Sequence, residues 1–183
     1  MGDKPEGDKM IYYSRDDIVI RNLEQRDISV ITDEEIAQGW HVTTEKYETR
    51  FRHQAEGKAI ALVAEYKGNV AGYINVYPVS ECGPYIEKGY PEIVDFGVLV
   101  KYRRSGIGSK LMDIAEKVAS EYSDTVCLGV GLHSGYGSAQ RMYVKRGYVP
   151  DGTGVWYGPE ACKPYEDYCN DDDLTLYMSK RIV

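Results

Sequence analysis

At 183 residues and 43% hydrophobic, the chain is long enough to bury one substantial core without disulfides or a structural metal, so a single domain over residues 11–183 is expected. Its 22 Lys plus Arg against 29 Asp plus Glu give a net charge of −7, which argues against nucleic acid as a partner and leaves room for a cationic one. No apolar run approaches membrane-spanning length, and the start MGDKPEGDKM lacks a charged-then-apolar signal pattern, so no membrane partner and a cytoplasmic location are expected.

Residues 1–10, charged and containing Gly and Pro, read as a disordered N-terminal segment, with the fold beginning near Ile11. The stretch DIVIRNL (17–23) reads as a short strand, followed by two helices with acidic first turns, DEEIAQGW (33–40) and TTEKYETRFRHQAEGKA (43–59), with Thr43 or Thr44 as a cap for the second. AIALVAEY and VAGYINVYPV, rich in β-branched and aromatic residues and joined across KGN, predict an antiparallel hairpin. A Gly- and Pro-containing loop then leads into a third long β-type run, EIVDFGVLV (92–100).

From Leu111 the apolar positions Leu111, Ile114, Ala115, Val118, Ala119 and Tyr122 share one helical face, with Asp113 and Lys117 on the opposite face. TVCLGVGL (125–132) is a further strand. GSAQRMYVKRGY reads as a helix with Ala139, Met142 and Tyr143 on one face and Gly147 as its stop. A last strand, LTLYMSK, follows a long segment containing Trp156 and the acidic NDDD (170–173). Strands and helices mix without strict alternation, so the predicted fold is a mixed sheet in an α/β or α+β layer rather than a doubly wound parallel sheet.

The four cysteines (Cys82, Cys127, Cys162, Cys169) form no CxxC pair, and no histidines complete a zinc spacing, so no metal is expected and the thiols read as reduced. The 17 Tyr against 2 Phe suggest a polar, aromatic-lined pocket. His133 has no GxSxG-type nucleophile motif beside it and reads as a loop or capping residue.

The segment after the third β-type run, KYRRSGIGSKL, carries the main functional signal. Helix N-termini expose unpaired backbone N–H groups, glycines at Gly106 and Gly108 let a phosphate approach them, and Arg103 and Arg104 add charge-assisted donors. A Walker A loop is absent, and the dinucleotide fingerprint fails because Leu111 stands where its third glycine belongs. The pattern R-x-x-G-x-G does fit, from Arg103 through Gly106 to Gly108. It resembles the acetyl-CoA signature of the GNAT superfamily of N-acetyltransferases, and SAQRMYVKRGY resembles that family's later segment A-x-x-L-Y-x-K-x-G-F, with Met142 for Leu and Tyr148 for Phe.

The resemblance covers roughly residues 17–180 and implies a GNAT-like mixed, mostly antiparallel central sheet flanked by helices, with acetyl-CoA as acetyl donor. By this resemblance the backbone at Phe96, Gly97 and Val98 binds the acetyl carbonyl and upper pantetheine arm, and Arg104, Ser105, Gly106, Ile107, Gly108 and Ser109 bind the pyrophosphate. Tyr143 falls on the motif position of the general acid. Two carboxylates stand open as base: Glu92, at the spacing of the base in some histone-type members, and Asp95, the costlier one to bury inside an apolar run. Their odd separation places them on opposite faces of a regular strand, and a water chain is a third route. One departure is the Asn that often precedes the second motif, replaced here by Tyr136.

The implied activity is acetyl transfer to a primary amine such as a polyamine, an aminoglycoside-like compound or an amino acid. A protein lysine or N-terminal acetyltransferase and a non-catalytic CoA-binding module are the alternatives, and a homodimer is plausible by the same resemblance.

Overall fold

Strand β1 (Ile11–Arg15) pairs antiparallel with β2 (Ile18–Asn22) through a turn in which Asp16 and Asp17 both take positive φ, 52° and 63°. Two left-handed residues match the twist of a two-residue hairpin turn, but Asp-Asp is an uncommon way to build one, which is why only β2 was expected. The computed structural model describes residues 10–182, so segment 1–9 of the expected disordered start lies outside the described residues. Met10 is held by Asn22: its N–H donates to Asn22 Oδ1 at 2.8 Å, and its carbonyl accepts from the Asn22 N–H at 3.1 Å.

Helix α1 (Gln25–Ala37) starts eight residues before the acidic DEEIAQ run that announced it. Its first half is rich in β-branched Ile28, Val30, Ile31 and Thr32, poor helix formers on propensity alone. A capping box between Glu24 and Asp27 starts it. Asp27 also receives the fully buried Arg21 of β2 at 2.6 and 2.8 Å, and Arg21 reaches Glu65 at 2.6 Å. Helix α2 (Thr44–Ala55) has Thr43 at its N-cap, although the threonine side chain makes no capping hydrogen bond.

Strands β3 (Ile60–Tyr66) and β4 (Asn69–Tyr77) are the predicted hairpin, and β5 (Glu92–Val98) and α3 (Ile107–Ala119) follow. Leu111, Ile114, Ala115, Val118 and Ala119 are buried as their spacing requires, while Tyr122 lies past the helix end and is exposed. Then come β6 (Thr125–Gly131), α4 (Gly137–Lys145), β7 (Val149–Tyr157), β8 (Glu160–Ala161) and β9 (Leu174–Arg181). Neither β7 nor β8 was expected, because Pro150, Gly152 and Gly154 disguise β7; its register against β9 shifts between Pro150 and Val155.

Among the described residues, nine strands run in the order β1-β2-β3-β4-β5-β6-β9-β7-β8. The β5–β6 pair is parallel, and the pairs β1–β2, β2–β3, β6–β9, β7–β9 and β7–β8 are antiparallel, which makes the mixed, mostly antiparallel sheet that was expected.

Two compact units can be distinguished, and neither is continuous in sequence. The first takes the chain up to Asn75 together with Asp95–Ala115; the second takes Val76–Val94 and everything from Glu116 onward. In the first, Leu23, Ile28, Ile31, Tyr47, Ala61, Val63 and Tyr73 form a buried cluster. In the second, Tyr85, Cys127 and Tyr177 do so, with Tyr90 and Trp156 packed against them. No helix among the described residues is long and apolar enough to cross a membrane.

Candidate active site

All the residues expected to face the cofactor lie in the first unit. After β5 the chain makes a short 3-10 turn over Val100–Tyr102 and then a loop in which Arg104 and Gly106 both take positive φ, 64° and 81°. At Gly106 nothing lies within 4 Å of where a Cβ would stand, so both the conformation and the open space favour glycine. Gly108 lies against Phe96 and Val98: a Cβ there would stand 3.2 Å from Phe96 Cζ and 3.4 Å from Val98 Cγ2, so the start of α3 packs closely on β5. Ile107 is buried and fixes the first turn in the core, whereas Arg104, Ser105 and Ser109 are exposed. A helix N-terminus with a left-handed backbone before it is an anion-binding geometry built from main-chain donors.

Arg103 is placed differently from the other loop residues. Its Nε donates to the Val98 carbonyl at 3.2 Å, and its guanidinium lies 5.6 Å from the centre of the Trp40 ring. It thus braces the end of β5 as well as adding positive charge. Ser105 donates its hydroxyl to the Tyr102 carbonyl, which closes the loop upon itself.

Strand β5 is irregular at Asp95, where φ is 51°. Strict alternation of side chains does not carry through a left-handed residue, so the opposite-face relation expected for Glu92 and Asp95 does not follow from their spacing alone. The Asp95 carboxylate is bonded by two residues of α2: Arg50 Nε and Nη2 both reach Oδ2 at 2.6 Å, and Lys46 Nζ lies 3.3 Å from Oδ1. Two residues on, Gly97 packs under Tyr73, whose hydroxyl oxygen would be 2.6 Å from a Cβ at that position. Tyr73 and Tyr47 both donate to the buried Glu35 carboxylate of α1. Burial, then the neighbouring Tyr47 and Glu35, push the Tyr73 hydroxyl far above its ordinary value and keep it a donor.

The catalytic candidates Glu92 and Tyr143 lie in the second unit. Glu92 is buried; it accepts from Ser80 Oγ at 2.9 Å and from the Cys82 thiol at 3.4 and 3.5 Å. Burial of the sulfur, then the Glu92 charge, push the Cys82 thiol up to about 11, so it stays protonated and donates. The parallel β5–β6 ladder comprises two pairs, Glu92 with Cys127 and Ile93 with Leu128. It therefore stops short of Phe96, Gly97 and Val98, whose other edge faces β4.

Tyr143 is buried on the inner face of α4, edge-on to Tyr148 with ring centres 5.7 Å apart. Burial, and to a lesser extent Tyr136, push its hydroxyl well above the ordinary tyrosine value, so its proton is present throughout the neutral range.

His133 behaves as a loop residue. Its Nδ1 accepts from the Gly135 N–H at 3.1 Å, and its Nε2 lies 2.9 Å from Asp172 Oδ1, the oxygen that Tyr136 OH reaches at 2.8 Å. Asp171 receives the Tyr157 hydroxyl at 3.0 Å, so part of the acidic run closes a surface loop. Between these anchors and β8, residues 163–170 are exposed, with Tyr165 fully so. The four cysteines are free thiols, and no cluster of three or more His, Cys, Asp or Glu side chains able to hold a metal occurs among the described residues.

Sequence reasoning missed Arg50, Lys46, Tyr73 and Glu35 around β5, and Ser80 and Cys82 around Glu92. Their signal is weak: Lys46 and Arg50, one helical turn apart, resemble any solvated helix face.

The family model described as "Acetyltransferase (GNAT) family" matches residues 24–148, more than half of the chain. No curated protein matches the chain significantly. Solved structures share its fold. A ribosomal L7/L12 alpha-N-protein acetyltransferase, RimL, aligns with TM-score 0.69 and 11% identity over 98% of this chain and 99% of its own. The Salmonella typhimurium putative acetyltransferase yncA, solved with its cofactor acetyl-CoA, aligns with TM-score 0.64 and 16% identity over 92% and 95%. A chimera of the Vibrio cholerae spermidine N-acetyltransferase SpeG with hSSAT aligns with TM-score 0.65 and 14% identity over 91% and 96%.

Proposed function

Since the chain belongs to the acetyltransferase (GNAT) family and is an acyltransferase, we propose that it transfers an acetyl group from acetyl-CoA to a primary amine, the acceptor being a small cationic metabolite or antibiotic-like amine. The observation that carries this reading is the turn before α3. Left-handed Arg104 and Gly106, the open space at Gly106 and the packed Gly108 make a cradle of backbone donors suited to a diphosphate. The net charge of −7 supports a cationic acceptor. RimL, which shares the fold, is described as acting on a protein N-terminus, and a protein acceptor is the second reading.

Acetyl-CoA, when bound, supplies a thioester carbonyl that an amine nitrogen attacks, forming the C–N bond as the C–S bond breaks. The backbone from Phe96 to Val98 holds the acetyl carbonyl and the upper pantetheine arm, and its N–H donors meet the charge that develops on the carbonyl oxygen. Alkylammonium groups are mostly protonated at neutral pH and must lose a proton to attack. Glu92 takes that proton, directly or through one water; Asp95, the alternative base, is engaged by Arg50 and Lys46. Tyr143 gives its phenolic proton to the departing sulfur and is reprotonated by the second proton, which the nitrogen sheds as the amide forms, so that the net proton released is the one Glu92 takes.

The test is calorimetric titration with acetyl-CoA, with desulfo-CoA and NADH as comparison ligands, followed by turnover assays with spermidine and with a peptide bearing a free N-terminus. Both CoA species should bind and NADH should not. Tyr143→Phe should keep acetyl-CoA affinity within about threefold and lose roughly 10²-fold in kcat, the usual contribution of a positioned acid. Absence of acetyl-CoA binding sinks the reading, and unchanged turnover in Tyr143→Phe removes the acid from it.

A further inference from the structure

Six non-glycine residues among those described take positive φ, and Asp95 is the one that does so inside a strand; the other five lie in turns and loops. Left-handed backbone is disfavoured for a residue with a Cβ, though Asp tolerates it better than most. Such a conformation persists in a strand only where neighbouring groups impose it.

The charged groups bonded to Asp95 come from α2. Arg50 places two of its guanidinium nitrogens on one Asp95 oxygen at 2.6 Å each, and Lys46, four residues earlier on the same helix, lies 3.3 Å from the other oxygen. The three side chains are 21%, 33% and 19% exposed, so water screens the pairing less than it would at the surface. Two residues beyond, the Tyr73 ring occupies the space over Gly97 and is itself fixed through its hydroxyl to Glu35. Residues 95–97 are thus gripped at both ends, by a charged contact at Asp95 and an aromatic one at Gly97.

We propose that Arg50 is a positioning residue: by bonding Asp95 it holds the left-handed bend of β5 and so sets the direction of the Phe96–Val98 backbone, whose free N–H groups meet the thioester carbonyl. This rests on the acetyl-CoA reading above and adds to it a residue that acts through Asp95. Asp95 then serves as the partner of Arg50 and not as the base. The bend bears on the acetyl group more than on the diphosphate, because the left-handed residues that shape the cradle, Arg104 and Gly106, lie outside β5, and the cradle meets Phe96 and Val98 only through the side of Gly108 and the Arg103 bond to the Val98 carbonyl.

The two ligands that separate these contributions are acetyl-CoA and free CoA, which share the diphosphate and differ in the carbonyl. Calorimetric titration of the full chain with each should show that Arg50→Ala weakens acetyl-CoA binding about tenfold, the worth of roughly one charge-assisted hydrogen bond, while CoA binding changes less than about threefold. Arg50→Lys should lie between Arg50→Ala and the parent protein. In Arg50→Ala/Asp95→Gly, acetyl-CoA affinity should recover most of the loss, because glycine adopts positive φ without a clamp. A merely structural role for Arg50 predicts equal losses for both ligands and no recovery with glycine, and either result overturns the proposal, as does Arg50→Ala binding acetyl-CoA normally. If Arg50→Ala fails to fold, Asp95→Ala, which removes the carboxylate and leaves a residue that disfavours positive φ, replaces it with the same expectation, and Asp95→Gly serves as its glycine comparison with the same overturning results. A parent protein that binds CoA but gains nothing from the acetyl group overturns this inference and leaves the CoA site standing. One that binds neither ligand overturns the acetyl-CoA reading and this inference with it.

Discussion

Gly72 and Gly97 show how little room individual atoms leave around β5. A Cβ added to Gly72 would stand 2.7 Å from the Gly97 carbonyl oxygen and 3.1 Å from Leu111 Cδ1. A carbonyl in a strand cannot rotate away as a flexible side chain can, so the backbone itself has to move. Gly72→Ala is therefore expected to destabilise by about 1–3 kcal/mol, as overpacked cores do, and to lower Tm by roughly 2–4 °C for each kcal/mol in a chain of this size. Gly137, the first residue of α4, has φ −56° and nothing within 4 Å of its Cβ position. Gly137→Ala should stay within about 1 kcal/mol of the parent. Thermal melts of the two variants, side by side, check the argument, and equal Tm values would refute it.

Between elements, the contacts that matter most are those charge makes where burial is costly. Glu116 of α3 receives Arg146 Nε and Nη2 at 2.9 Å each and Lys180 Nζ at 2.8 Å, so one carboxylate ties α3 to the residue after α4 and to β9. Burial alone would raise the Glu116 value, but the bonds from Arg146 and Lys180 outweigh it and leave the carboxyl below the ordinary 4.5. A carboxylate whose folded value is lowered stabilises the fold fully above its ordinary value, and that stabilisation is lost as pH falls through the lowered one. Urea unfolding between about pH 6 and pH 3 should show stability falling with acid. Glu116→Gln should be less stable by about 1–3 kcal/mol at neutral pH and approach the parent as the pH drops. A constant difference between the two at every pH would show that Glu116 acts by shape and not by charge.

Over the molecule as a whole, the strongly patterned segments were legible and the locally unusual ones were not. The β3–β4 hairpin, α3 with its buried stripe from Leu111 to Ala119, and the glycine turn before it all stand where apolar spacing and turn residues placed them. The first half of α1 was hidden because tertiary contacts, above all Arg21 with Asp27, override the propensity of its β-branched residues. Strand β7 was hidden because its glycines and Pro150 are tolerated at a register shift. Around the candidate site, the motifs marked residues 103–109 and Tyr143, but the bend at Asp95 and its partners on α2 depend on a backbone conformation and on long-range pairing. Neither leaves a periodic trace.

The loop between β8 and β9 has a consequence for how the chain meets a protease. Its acidic end is fastened by Tyr157, His133 and Tyr136 to Asp171 and Asp172, while Tyr165 stands fully exposed at φ 68°. Exposed loop tips outside regular structure are where proteases cut, so brief chymotrypsin treatment should nick the chain first after Tyr165. Strand β9, beyond the cut, pairs with β6 from Thr125 to Gly131 and with β7 from Val149 to Tyr157. The two fragments should therefore separate on a denaturing gel yet elute together under native conditions. First cleavage elsewhere, or fragments that part without denaturant, would mean that the loop is fastened differently or that β9 leans on its covalent connection.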